Sequence, residues 1–85
     1  MDVIWTRHAE ERQQDWEKRL GVTRREVEDL LAIPEQIVAG DAGAWVAQRM
    51  RGEGLLRVVF REVHGVRRIV TLYWTSRIER YRGGG

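Results

Sequence analysis

The side chains of this sequence most able to do chemistry are arginines, and they crowd its second half. Residues 44–85 carry nine basic and three acidic side chains, net +6, whereas residues 1–43 carry six basic and ten acidic ones, net −4. Fourteen of the fifteen basic residues are Arg, Lys18 is the single lysine, and Asn is absent. A guanidinium is a planar fork of donors that matches a phosphate or carboxylate bidentately. Segregated charge of this kind predicts one part of the molecule that attracts polyanions and another that does not. A GC-rich or thermophilic genome would also favour Arg over Lys and disfavour Asn, but it would not segregate the charge.

Proton transfer needs other groups, because arginine stays protonated far above neutrality. His8 stands at i, i+4 from Arg12 on one face of a predicted helix and titrates in the right range to act as base or acid; the alternative is a structural histidine packed at the helix start. His64 falls in a hairpin turn and reads as solvent-exposed. Two histidines on different elements, with no carboxylate at ligand spacing and no cysteine in the chain, make no metal site. No cofactor motif is present: there is no Gly-rich phosphate loop, nucleophile elbow or Ser/His/Asp arrangement, and Gly83-Gly84-Gly85 precedes no helix.

The elements that must position these side chains follow from periodicity. Asp2 to Trp5 alternates and reads as a short strand. Thr6 is an N-cap candidate for a helix from about Arg7 to Arg19, mostly solvated and anchored chiefly by Trp16, with Gly21 ending it. Thr23-Arg24-Arg25-Glu26 fits a capping box, Thr23 accepting from the first turn and Glu26 reaching back. Val27, Leu30 and Leu31 then give that second helix one apolar face, and Pro34 stops it. Glu35 to Gly43 reads as a connection, with Ile37 and Val38 tucked inward and Gly40-Asp41-Ala42-Gly43 turning.

From Ala44 the period is two. Ala44–Arg51, Leu55–Val63 and Val66–Thr75 read as strands, joined by turns at Gly52-Glu53-Gly54 and His64-Gly65. The second turn predicts Val63 opposite Val66, Arg61 opposite Arg68 and Val59 opposite Val70. A three-residue first turn predicts Arg51 opposite Leu55 and Arg49 opposite Arg57. One face would then carry Val46, Met50, Leu56, Val58, Phe60, Ile69 and Tyr73 as a core covered by the helices. The other would gather Arg49, Arg51, Arg57, Arg61 and Arg68 with Ala47, Val59, Val70, Leu72 and Trp74. Like charges directly opposite each other destabilise a sheet by up to about 1 kcal/mol per pair, so such crowding points to an anionic partner. Trp74 among the arginines suits base stacking. The bland alternative is a solvated face whose arginine stems cover apolar surface. Ser76 to Arg82 is a polar tail, read as a helical turn or a last extended segment.

The expectation is therefore one α+β domain spanning 1–82, with 83–85 a disordered glycine tail. Eighty-five residues bury a thin core, so a homodimer that covers Val70, Leu72 and Trp74 is a further expectation. No apolar run approaches the roughly 18 residues that span a bilayer. The start has no basic segment followed by an apolar one, so no membrane partner and a cytoplasmic location are expected.

Three stretches carry a resemblance: Trp5-Thr6-Arg7-His8-Ala9-Glu10-Glu11-Arg12, the helix closing in Ile33-Pro34-Glu35, and Leu55-Leu56-Arg57-Val58-Val59 followed by Ile69-Val70-Thr71-Leu72-Tyr73-Trp74. Over nearly its whole length the chain resembles a family of small bacterial proteins described as a domain of unknown function, with HA-x-x-R near the start and V-T-x-Y near the end. That family is similar to the RelE/ParE and BrnT-like toxins. The resemblance implies a β-α-α-β-β-β fold, an antiparallel sheet with two helices packed on one face. It implies a toxin of a toxin–antitoxin system: a metal-independent ribonuclease acting on RNA or the ribosome, or a ParE-like inhibitor without catalysis, neutralised by an acidic antitoxin. Such ribonucleases turn the ribose 2′-hydroxyl against its own phosphate while basic side chains stabilise the developing charge. By position, Arg57, Arg61 and Tyr81 are the catalytic candidates, with His8 as the titrating group; Arg49, Arg51, Arg68 and Trp74 are the nucleic-acid-binding candidates. The sequence departs from the best-known toxins in having no lysine on those strands.

Overall fold

The computed structural model describes residues 2–82; Met1 and the glycine tail 83–85 lie outside the described residues. The fold is α+β, with a five-stranded mixed sheet and two main helices on one of its faces.

Strand β1 (Val3–Trp5) runs into helix α1 (Arg7–Leu20) through Thr6. The Thr6 hydroxyl accepts from the Ala9 amide at 3.1 Å and donates to the Ile69 carbonyl at 2.7 Å. One side chain thus caps the helix and fastens it to the sheet. Gly21 closes α1 at φ 74°, a left-handed conformation that glycine adopts at no steric cost. The buried anchors of α1 are Ala9 and Gln13, a correction to the expectation that Trp16 does most of this work. Ala9 lets the helix come close, and Gln13 is buried without penalty because its amide donates to the Val22 carbonyl at 2.9 Å and to Glu17 at 3.0 Å. Trp16 packs at the margin, half-buried, with the Arg19 guanidinium 4.3 Å from its ring centre.

Helix α2 (Arg24–Ala32) has Thr23 as N-cap, accepting from the Glu26 amide at 3.1 Å. Val27, Leu30 and Leu31 are its buried face. The Glu26 carboxylate does not reach back as a capping box would have it; it turns to Arg51, 2.7 Å away.

Past Pro34 the chain forms an edge strand, β2 (Gln36–Ala39), where a connection was expected. A 3-10 turn at Asp41–Gly43 reverses it onto β3 (Trp45–Arg51), using positive φ at Ala42 (53°) and Gly43 (81°). Being at the edge, β2 leaves Ile37 41% exposed rather than tucked inward. Strands β4 (Gly54–Val63) and β5 (Val66–Thr75) complete the meander, and a short helix α3 (Ile78–Arg82) follows. The sheet order is β1-β5-β4-β3-β2, and β1 lies parallel to β5 while the other pairs are antiparallel. The all-antiparallel expectation is corrected at β1: the two helices carry the chain across the sheet's face, so the first strand and the last end side by side and run in the same direction.

The second hairpin has the expected register, Val63 opposite Val66 and Arg61 opposite Arg68, around a turn with φ 54° at His64 and 78° at Gly65. The first hairpin differs by one residue. Arg51 faces Gly54, so Gln48, not Arg49, lies opposite Arg57. Gly54 belongs to the strand because the Trp74 indole lies against it: a Cβ there would collide with the Thr75 carbonyl and the Trp74 ring. A second difference is a bulge. Val59 faces Thr71 and Phe60 faces Ile69, leaving Val70 as the extra residue and removing the expected Val59–Val70 pair.

A slip of one residue exchanges the faces of a strand, and both differences have that effect. Ala47 and Leu72 join Leu56, Val58, Phe60 and Ile69 in the core, with Trp74 packed against it. Val46 and Met50, expected under the helices, alternate with Ala47 on β3 and so face away from them, Val46 nonetheless buried at 4% exposure; Tyr73 also faces away, beside Leu72 on β5. Among the described residues no helix is long and apolar enough to cross a membrane.

Candidate functional site

On the sheet face turned away from α1 and α2, four cross-strand neighbours form a lateral row. The register sets Gln36 opposite Gln48, Gln48 opposite Arg57, and Arg57 opposite Tyr73. Their side chains are joined in the same order. Gln48 Nε2 donates to Gln36 Oε1 at 2.7 Å, Arg57 Nε donates to Gln48 Oε1 at 2.8 Å, and Arg57 Nη1 donates to the Tyr73 hydroxyl. Helix α3 adds Tyr81, whose ring centre is 3.9 Å from the guanidinium carbon, a stacked cation–π contact. Tyr73 and Tyr81 meet edge to face, with centroids 6.3 Å apart and planes at 67°. Gln48 also donates to the Tyr81 carbonyl at 3.3 Å, holding α3 in place.

Arg57 is only 7% exposed. A buried charge is costly unless paired, yet among the described residues no carboxylate lies within ion-pair distance of it. Its partners are an amide oxygen, a phenol and an aromatic face, all neutral. They orient the guanidinium without cancelling its charge. Among the described residues Nη2 has no protein acceptor, and none of their buried side-chain nitrogens is left unsatisfied, so Nη2 keeps contact with solvent.

That opening is a hollow of about 600 Å³ lined by Arg57, Arg61, Tyr73, Arg80, Tyr81 and the turn after β2. Burial holds the Tyr73 phenol above its ordinary pKa, and Tyr81 adds to the rise against the opposing pull of Arg57. The phenol is therefore protonated at neutral pH. Its oxygen already accepts from Arg57, so its own O–H is a donor. Arg57 Nη2 and Tyr73 O–H are both hydrogen-bond donors at this wall, suited to an oxyanion.

Of the residues singled out from sequence, Arg57, Arg61 and Tyr81 share this hollow. Arg61 is partly committed: its Nη1 donates to the Ala42 carbonyl at 2.7 Å and builds the wall. Arg68 lies opposite Arg61 and is exposed. His8 is exposed, with Nε2 3.1 Å from the Thr71 hydroxyl, and Thr71 lines the hollow. His8 thus stands at the rim rather than beside Arg57.

The other three belong to the helix side. Arg51 pairs with Glu26 at 2.7 Å and donates from Nη2 to the Leu20 carbonyl at 2.9 Å, capping the end of α1. Trp74 packs on the core and donates to the Arg51 carbonyl at 2.9 Å. Arg49 lies opposite the core residue Leu56. The expected face of five arginines is thus divided by the register, with Arg49 and Arg51 leaving it. Sequence reasoning missed Gln48, Tyr73 and Arg80. The available signal was Gly54: taken as a strand residue, it makes the turn two residues long and sets Gln48 opposite Arg57.

The hollow can bind and orient an oxyanion; Asp41, in the turn after β2, is the carboxylate in its lining, and it lies beyond ion-pair distance of Arg57. Among the described residues no three His, Asp or Glu side chains gather as metal ligands would. Comparison of the chain with protein-family models, with curated proteins and with solved structures finds no match.

Proposed function

We propose that this chain is a toxin-like domain that acts on RNA, gripping a backbone phosphate in the Arg57 hollow. The observation that carries the reading is the state of Arg57: a buried, rigidly held guanidinium with neutral partners and one nitrogen left open. Such a group lacks a negative charge that a phosphate supplies. Arg80 and Arg61 around it extend the positive field, and Tyr81 offers an aromatic edge. The resemblance to RelE/ParE and BrnT-like toxins adds support: the strand-helix-helix start and three-stranded meander are shared with the order it implies, while β2, α3 and the parallel pairing of β1 go beyond it. In this reading an acidic antitoxin segment covers the same hollow and competes with RNA.

Cleavage would use Arg57 and Tyr73 to stabilise charge on the attacked phosphate; His8 at the rim takes the 2′-hydroxyl proton as the 2′-oxygen bonds to phosphorus, and the bond to the 5′-oxygen of the next nucleotide breaks, leaving a 2′,3′-cyclic phosphate and a 5′-hydroxyl protonated by water. The absence of a base beside Arg57 favours a second reading, in which the domain binds RNA without cutting it. Controlled expression of the wild type, Arg57→Gln and His8→Ala, with growth curves and mapping of RNA 5′ ends, separates the two. New ends and arrested growth that need both residues support a ribonuclease. RNA binding that needs Arg57, with no new ends, supports the binding module. RNA affinity unchanged in Arg57→Gln sinks both.

A further inference from the structure

Gln48 is 1% exposed, and its Oε1 is the acceptor that fixes Arg57 Nε at 2.8 Å. A buried arginine ordinarily has a carboxylate in such a position. Glutamate is nearly isosteric with glutamine and differs at the same atom that here donates to Gln36 and Tyr81. The other acid close by, Glu35, spends Oε1 on the Met50 amide at 3.2 Å. The amide therefore performs two jobs: it orients the guanidinium, and it leaves its charge uncompensated.

We infer that Gln48 is a positioning residue whose neutrality makes Arg57 an anion receptor. The inference rests on the phosphate-binding reading above and adds what sets the affinity of that site. A glutamate at this position would form an internal ion pair with Arg57. It would satisfy the guanidinium from within the fold and close the site electrostatically while leaving the hollow open in shape. The neutral requirement is on charge, so an apolar residue of similar volume would loosen Arg57 without silencing it.

The test is binding of a fluorescein-labelled single-stranded oligoribonucleotide to the full chain, titrated at several salt concentrations. The proteins are the wild type, Gln48→Glu, Gln48→Leu and Arg57→Gln, each checked by thermal melting. The expected result is a loss of roughly tenfold or more in Gln48→Glu, the scale of one charge-assisted contact. Its slope of log affinity against log salt should fall by about 0.7, the contribution of one phosphate contact on a single strand. Gln48→Leu should lose only a few-fold, about 3-fold by analogy with a neutral hydrogen bond, and keep the wild-type slope. Wild-type affinity in Gln48→Glu, or equal losses in Gln48→Leu and Gln48→Glu, would overturn the inference, since a merely structural role predicts the latter. If Gln48→Glu fails to fold, Gln48→Leu decides alone: a slope reduced to that of Arg57→Gln overturns the proposal. A wild-type affinity in Arg57→Gln removes the phosphate-binding reading itself, an outcome distinct from all of these.

Discussion

Arg51 on β3 and Glu26 on α2 are joined at 2.7 Å, and the same guanidinium donates to the last carbonyl of α1, that of Leu20. One arginine therefore ties both helices to the sheet. Both partners are largely covered, with side-chain exposures of 28% and 25%. Arg51→Ala should cost about 1–2 kcal/mol of stability, read from the denaturant midpoint. It should leave RNA affinity within about twofold. A loss as large as that of Arg57→Gln would mean that the helix side also touches RNA.

Gly54 sets the register of the first hairpin. Gly54→Ala forces a methyl into the Thr75 carbonyl and the Trp74 ring, and about 1–3 kcal/mol of destabilisation is expected from such overpacking. Gly52→Ala meets open space, and only its φ of 61° is unfavourable, so a cost of about 1–2 kcal/mol is expected. A loss below about 1 kcal/mol for Gly54→Ala in equilibrium unfolding would show that Trp74 does not hold the strand against Gly54.

Arg61 and Arg68 face each other across β4 and β5. Like charges in direct opposition are destabilising, so Arg68→Thr should raise stability by a few tenths to about 1 kcal/mol at low salt, and less as salt is added. The same substitution should weaken RNA binding slightly through the lost field. A fall in melting temperature would show that the pair is relieved by neighbours.

Tyr73 carries a pH signature. Its folded pKa is raised by burial, while the unfolded phenol titrates near 10. Below about pH 10 both states are protonated and stability does not depend on this group. As pH rises from there through the raised folded value, the unfolded state loses its proton first, and stability falls. Tyr73→Phe should remove that alkaline fall and weaken RNA binding at neutral pH by losing one donor. A wild-type alkaline limb in Tyr73→Phe, measured by denaturant titration across pH 9–11, would assign the fall to another group.

Local chemistry fixed what could be read from the chain itself. Thr6, Gly21, Thr23 and Pro34 mark helix boundaries through their own backbone and side-chain preferences, and the observed α1 and α2 begin and end there. The His64-Gly65 turn predicted its own register, because a two-residue hairpin leaves little choice. Arg57 and Arg61 were legible as members of an arginine-rich sheet face, and the resemblance to toxins added their catalytic role by position.

Tertiary structure alone decided which side chains meet. Whether Gly54 belongs to a turn or a strand depends on Trp74, twenty residues later, lying against it. The bulge at Val70 exists because β4 and β5 must each keep an apolar face on the helices along their full length. The period-two pattern of a strand is unchanged by a slip of one in its partner, so alternation cannot reveal the slip, although the slip moves Arg49 and Arg51 to the helices and brings Gln48 and Tyr73 to Arg57. The edge strand β2 was hidden for a related reason: four residues with one covered side carry too little pattern to stand out, and only pairing with β3 makes them a strand.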